Sequence, residues 1–106
     1  MTNEAIPVPT AIFHQPVRTR LALILFLGEA SFSELKGRLE ITDGNLDAHL
    51  KKLSAAGYLH SRMVLDGRPH TVYRLSESGT KAFRKYLDDI AKIGKIAHFH
   101  DWTGRS

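Results

Sequence analysis

The chain of 106 residues has no cysteine, a single tryptophan and few aromatic residues. The absence of cysteine excludes disulfides, zinc fingers and thiolate nucleophiles. The longest apolar run, residues 21–27, is about a third of the length that a membrane-spanning helix needs. The N-terminus lacks the basic region followed by an apolar segment that is typical of a signal peptide. We therefore expect one soluble, cytoplasmic domain with no membrane partner, small enough to gain from burying further surface in a dimer.

The sequence also has little that points to catalysis or to a cofactor. It shows no nucleophile with a spaced base and acid, and no glycine-rich loop that would cradle a phosphate. Candidate metal ligands are confined to the tail, at His98, His100 and Asp101, with Asp88 or Asp89 upstream. We predict neither enzymatic activity nor a bound cofactor or metal, and we assign no role to the tail.

What the sequence does contain is a well-marked helix within residues 41–57, ITDGNLDAHLKKLSAAG. Thr42 is a favourable N-cap, and Gly57 supplies the left-handed residue at which helices commonly end. Between them, apolar residues recur at the helical spacing i, i+4, i+7: Leu46, Leu50 and Leu53. This pattern predicts a helix that buries its leucine face and leaves the opposite, polar face free to contact another molecule.

Two further helices are expected upstream. Residues 1–15, with two prolines and little periodicity, are predicted to form a flexible arm. Pro16 is favourable in a first helical turn, and the helix it begins runs to Gly28. This helix is apolar on more than one side, so we expect it to pack against its own domain and against a second subunit.

Ser33 is predicted to cap a second, short helix, and Phe32 to begin a small strand just before it. Only Glu40 and Ile41 lie between this helix and the Thr42 cap. Two short helices joined by so tight a turn form a helix-turn-helix, whose second helix reads DNA in the major groove.

A β-hairpin is expected next, because the β-prone runs 58–65 and 70–75 flank the turn-forming pair Asp66–Gly67. Pro69 cannot donate to a strand ladder and holds the preceding Arg68 extended. Arg68 is therefore placed at the tip of the hairpin.

Positive charge follows the predicted DNA-reading helix rather than lying within it. Residues 42–56 carry no net charge, whereas residues 57–74 carry +2. This distribution suits phosphate contacts made by the hairpin, and it equally suits an ordinary solvated surface.

A last helix starts at Ser76 and extends over about 22 positions to residue 97, or roughly 33 Å. Such a helix extends past a small domain, so its apolar stripe needs a partner, which a second copy of the chain would supply. The predicted dimer interface combines the first and last helices: Leu21, Leu25, Phe83, Tyr86, Leu87, Ile90, Ile93 and Ala97.

The order of elements is that of a winged helix-turn-helix, and the runs ITDGNLDAHLKKLSAAGYL and DGRPHTVYRLSESGTKAF resemble compact regulators near the MarR and ArsR families. The resemblance covers about residues 16–90. It implies a mainly α fold with a small β-hairpin (α+β), with a DNA-binding domain over 16–75, a dimerisation helix over 76–97 and a tail over 98–106. It further implies a homodimer on a roughly palindromic operator in double-stranded DNA, and it leaves open whether a small-molecule effector binds.

The predicted DNA-binding residues lie on the second helix of the helix-turn-helix and on the hairpin: Thr42, Asp43, Gly44, Asn45, Ala48, His49, Lys52, Arg62, Arg68 and His70. Asn45 has the side chain for a bidentate contact to adenine, or it is simply a solvated polar residue. His49 lies between leucines, so packing competes with a base contact. Asp47 either orients Lys51 or accepts a hydrogen bond from cytosine.

Two alternative functions remain open from sequence. The same fold serves as a protein-binding module when the polar face meets an acidic protein partner. A metal-responsive repressor of the ArsR kind is less favoured, because such sensors carry cysteines or an Asp-x-His pattern on the last helix, where this chain has Asp88-Asp89-Ile90.

Overall fold

The computed structural model describes residues 5–99, and within them the chain forms four helices and three strands. In chain order these are α1 (Pro16–Leu27), β1 (Ala30–Ser31), α2 (Phe32–Leu39), α3 (Asp43–Ala55), β2 (Leu59–Val64), β3 (His70–Leu75) and α4 (Glu77–Phe99). The mainly α architecture with a β-hairpin and a long C-terminal helix is confirmed.

The hairpin β2–β3 is the larger part of a three-stranded antiparallel sheet in the order β1-β3-β2. Leu59 pairs with Leu75 at its base and Val64 with His70 at its tip. In the connecting loop Gly67 has a φ of +72°, a conformation that glycine adopts without steric cost. Residues 65–69 at this tip form the loop that we call the wing loop.

The start of α2 corrects the sequence prediction. The short strand is Ala30–Ser31, before Phe32 rather than from it, and the N-cap is Ser31 rather than Ser33. Ser31 Oγ accepts from the backbone N–H of Glu34 at 3.2 Å, and the Glu34 carboxylate accepts from the N–H of Ser31 at 2.7 Å. This reciprocal capping box satisfies two helix-end donors, whereas Ser33 lies inside the first turn.

The helix-turn-helix forms as predicted, with α2 and α3 joined by residues 40–42. Glu40 ends α2 in the left-handed conformation, at φ 54° and ψ 50°, and its N–H donates to Lys36 O at 2.8 Å. Thr42 caps α3, since its Oγ1 accepts from the N–H of Asn45 at 3.1 Å. These two residues fix the angle at which α3 leaves the turn.

The end of α3 is a Schellman motif, as the glycine in the sequence indicated. Gly57 has a φ of +80° and donates to Ser54 O at 2.9 Å, while the N–H of Tyr58 donates to Leu53 O at 2.9 Å. The chain therefore passes directly from α3 into β2, which places the hairpin beside α3.

The hydrophobic core gathers residues from all four helices and from β1 and β3, and it also includes a residue from outside these elements, Phe13. Phe13 is fully buried, and the centroid of its ring lies 5.4 Å from the ring centroid of Tyr58 and 5.1 Å from that of Phe83. The folded unit thus begins before Pro16. The predicted arm over residues 1–15 is wrong at its C-terminal end, and residues 1–4 lie outside the described part of the chain.

Four of the eight predicted dimer-interface residues lie in the core of the single chain. Leu21 and Phe83 are 0% exposed, Leu25 is 2% and Tyr86 is 4% exposed. Their side chains leave no surface for a partner, so this part of the prediction is corrected. Leu87 is 38% exposed, Ile90 and Ile93 are partly exposed, and Ala97 is exposed.

Ser76 caps α4 rather than forming its first residue, since its Oγ accepts from the N–H of Gly79 at 3.0 Å. The helix continues to Phe99, two residues past the predicted end. Over residues 5–99, no helix has both the length and the apolar character that crossing a membrane requires.

Candidate nucleic-acid interface

Helix α3 presents a face of small and polar residues on the side opposite its core leucines. Leu46, Leu50 and Leu53 are buried. At about 100° per residue, the positions facing away from them include Gly44 and Ala48, with Asn45 and Lys52 at one edge, and all four are exposed. The small residues allow the helix backbone to approach a flat or grooved partner closely.

Both carboxylates of α3 are paired with lysines. Lys36 Nζ lies 2.8 Å from Asp43 Oδ1, and Lys51 Nζ lies 3.0 Å from Asp47 Oδ2 one helical turn away. Such exposed pairs contribute little to stability. Their effect is electrostatic, because a cation beside each carboxylate reduces the repulsion that α3 would exert on a phosphate. The orienting role predicted for Asp47 is consistent with this pairing.

Three polar side chains, two on α3 and one in the wing loop, are uncommitted. Among the residues that the structure describes, no hydrogen bond or ion pair is made by the side chains of Asn45, Lys52 or Arg68. Arg68 is exposed in the wing loop, where His70 Nδ1 donates to its carbonyl oxygen at 2.9 Å. An amide on α3 and cations on α3 and the wing loop are therefore available to an external ligand.

Arg62, also predicted to contact DNA, has a partner within the chain. Its Nε and Nη2 donate to the two carboxylate oxygens of Glu29, at 2.7 and 2.8 Å. The hydrogen bond from Arg62 lowers the pKa of Glu29, with smaller contributions from the charges of Arg62, Arg74 and His60. This bidentate pair ties β2 to the segment before β1, and the Glu29 carboxylate offsets the charge that Arg62 would offer a phosphate.

His49 is half-buried between the leucine face of α3 and the edge marked by Asn45, and it meets Arg18 of α1. The Nη1 atom of Arg18 lies 3.2 Å from His49 Nδ1. Burial lowers the pKa of His49, and the positive charges of Arg18 and Lys52 lower it further. Sequence reasoning missed Arg18, since nothing local marks a contact between residues 31 positions apart.

Metal binding finds no support in the part of the chain that the structure describes. Within residues 5–99, no three His, Asp or Glu side chains come close enough together to hold an ion. Of the tail residues singled out from sequence, His98 lies in the last turn of α4, and His100 and Asp101 lie outside the described residues.

Comparison with known proteins gives three informative matches. A family model described as "winged helix DNA-binding domain" matches residues 19–93. An uncharacterized protein of Methanocaldococcus jannaschii is 38% identical over 86 residues, which cover 79% of this chain and 94% of that protein. A transcriptional regulator homologue from Pyrococcus horikoshii is 28% identical with a TM-score of 0.75, over 81% of this chain and 87% of that one.

The fold also matches a solved structure titled as a MarR-family regulator, from Enterococcus faecalis. The TM-score is 0.68 at 22% identity, over 83% of this chain and 80% of that one. This match bears on the fold alone. It agrees with the winged helix-turn-helix fold expected from the order of elements.

Proposed function

The chain belongs to the winged helix DNA-binding domain family, and on that premise we propose that it is a transcriptional regulator that binds a roughly palindromic site in double-stranded DNA as a homodimer. In this proposal α3 enters the major groove and the wing loop lies over the neighbouring backbone or minor groove. No enzymatic step is part of the proposal.

The observation that carries the proposal is the outward face of α3. A helix seated by three buried leucines, with small residues at the centre of its exposed side, fits the width of the major groove. Asn45 at the edge of this face has no partner among the described residues, and its amide matches the donor and acceptor pattern of adenine. We assign a phosphate contact to Thr42 and to the N–H groups at the start of α3, since the N-terminus of a helix favours an anion.

The wing loop supplies positive charge at the tip of the hairpin that follows α3. Arg68 is exposed and without an ion-pair partner among the described residues. Contacts from such a residue to phosphate position a protein on DNA and add affinity without reading sequence. We therefore assign base recognition to α3 and backbone attachment to the wing loop.

The homodimer is inferred from apolar surface on α1 and α4. Leu27 is 73% exposed and Leu23 46% exposed on α1, and Leu87 is 38% exposed on α4. The stripe of α4 that is buried at Phe83 continues through Ile90 and Ile93, and α4 is 23 residues long. In a dimer that binds both halves of a palindromic site, we expect the two α3 helices to lie about one DNA turn apart, near 34 Å.

A selection from a random duplex library with the purified chain tests the proposal. We expect enrichment of an inverted repeat whose halves are about 10 base pairs apart, and footprinting of the selected duplex should show protection of both halves. Light scattering should give the mass of two chains. Failure to bind any duplex would favour a protein-binding role for the same face, whereas equal binding to all duplexes would reduce the proposal to sequence-independent attachment to the DNA backbone.

A further inference from the structure

The contact between Arg18 and His49 joins α1 to the DNA-reading helix α3. Arg18 is held at two points, because its Nε donates to Ile12 O at 2.7 Å and its Nη1 lies 3.2 Å from His49 Nδ1. Both side chains are half-buried. Arg18 therefore reaches His49 from a fixed position rather than as a mobile surface side chain.

The chemistry of the two groups determines where the proton of His49 lies. A guanidinium keeps its charge in proteins and only donates, so His49 Nδ1 must be the acceptor. A neutral imidazole carries one proton, which is then on Nε2. The charged groups that face His49 are both cations, Arg18 from α1 and Lys52 from α3, and both favour the neutral ring. Across residues 5–99, Nε2 itself makes no hydrogen bond.

We propose that Arg18 is a positioning residue for DNA recognition: it holds His49 as the neutral tautomer protonated at Nε2, so that His49 offers DNA a single hydrogen-bond donor beside Asn45. The inference rests on the proposed function. A lone donor selects an acceptor, which DNA supplies as guanine O6 or N7 in the major groove or as a phosphate oxygen. Asn45 and His49 are one helical turn apart, so the two side chains address neighbouring positions.

A titration of the free protein tests the Arg18–His49 contact without DNA. Histidine ¹⁵N spectra of the full chain, with the signal of His49 identified from His49→Asn, should show Nδ1 unprotonated and Nε2 protonated at neutral pH. His49 should titrate below the ordinary value of about 6.5, and Arg18→Met should move that titration upward, because it removes the nearest cation. A proton on Nδ1, or a titration that Arg18→Met leaves unchanged, would overturn the proposal.

Paired amide substitutions test the donor itself, with a duplex enriched by the wild-type chain as the probe. Asn carries its amide near the position of Nδ1 and Gln carries it near Nε2. We expect His49→Asn to weaken binding about two- to tenfold, the usual effect of one hydrogen bond, and His49→Gln to bind nearly as the wild type does. Arg18→Met should weaken binding to a similar degree, and Arg18→Lys, which keeps a donor and the charge, should restore part of the loss.

The pattern of loss identifies the acceptor. A loss confined to one base position would assign a guanine edge, and an equal loss on every sequence would assign a phosphate. Equal affinities of the Asn and Gln variants would overturn the donor role even if Arg18→Met failed to fold. If the wild-type chain enriched no duplex, the proposed function itself would fail. If it enriched a duplex that His49→Asn and His49→Gln bound equally well, only the donor role of His49 would fail.

Discussion

Asn45 is the residue through which we expect α3 to distinguish bases. Its side chain is exposed, it has no partner among the described residues, and only its backbone N–H is used, in the cap with Thr42. Replacing it with alanine should cost about 1–3 kcal/mol of discrimination at one base position. Parallel selections with the wild type and Asn45→Ala would measure this.

The fold should not change in Asn45→Ala, because the N–H of alanine still donates to Thr42. The thermal midpoint is therefore the control, and we expect it to stay close to that of the wild type. Identical sequence preferences in the two selections would remove Asn45 from base recognition.

Gly79 is a second residue at which a single methyl group should matter, here for stability. A Cβ at this position would lie 2.9 Å from Tyr58 Cα and closer still to the Tyr58 carbonyl oxygen, which accepts from Ser76 N at 2.8 Å. Since the obstacle is backbone, it cannot move aside cheaply. We expect Gly79→Ala to lower the free energy of unfolding by about 1–3 kcal/mol, as measured by thermal or urea denaturation.

Gly94 is the matched control for Gly79, since it lies in the same helix and a methyl group there would have no neighbouring atom within 4 Å among the described residues. Alanine there should stabilise α4 by up to about 1 kcal/mol, the difference in helix propensity. We therefore expect the free energy of unfolding to fall in Gly79→Ala and to rise in Gly94→Ala. Stabilisation by both would mean that α4 does not pack on Tyr58 as described.

Single residues also show where sequence reasoning succeeds and where it fails. Thr42 and Gly57 could be assigned because capping depends on neighbours in the chain. The error at Ser33 arose because two serines compete for one cap, and only Ser31 has a glutamate at the third helical position. The burial of Phe13 could not be predicted in the same way, since its partners, Tyr58 and Phe83, are distant in the chain.

Among the elements, the hairpin and α3 divide the proposed binding between them. Both ends of β2 are constrained, by the Schellman motif at its start and by pairing with β3, so the base of the hairpin is fixed next to the end of α3 and the paired strands carry the wing loop at their far end. Arg62 is paired with Glu29, which leaves Arg68 as the cation that we assign to the DNA backbone.

Arg68→Ala should therefore weaken DNA binding uniformly. A phosphate contact does not read sequence, and its loss should reduce the slope of log affinity against log salt by about 0.9. Binding titrations of the selected duplex at several salt concentrations measure both effects. The selected sequence itself should not change.

Lys85→Ala is the control for Arg68→Ala, because it removes the same charge from α4, where Lys85 pairs with Asp89 at 3.0 Å. We expect its salt slope to match that of the wild type. If the two variants lost affinity equally, net charge rather than the wing loop would account for the effect.

For the molecule as a whole, the periodicity of α1 and α4 correctly marked apolar stripes but could not say what covers them. Apolar residues recur at the same helical spacing whether they pack against their own chain or against a second copy. The structure separates them: Phe83 and Tyr86 pack in the core, whereas Ile93 lies further along α4, is partly exposed and is not among the side chains packed against the core. The proposed interface therefore leaves out those residues predicted from sequence that are buried in the core of the single chain.

Ile93→Glu should therefore separate the dimer without unfolding the chain. A carboxylate at this position would be buried without a partner between two copies, whereas it would be solvated in the monomer. We expect light scattering to give the mass of one chain at concentrations where the wild type is paired, and affinity for the inverted repeat to fall while binding to a half-site persists. Ala91→Glu, exposed on the opposite side of α4, adds the same charge and should leave the dimer intact. A dimer that survives Ile93→Glu but not Ala91→Glu would place the interface on the other side of α4.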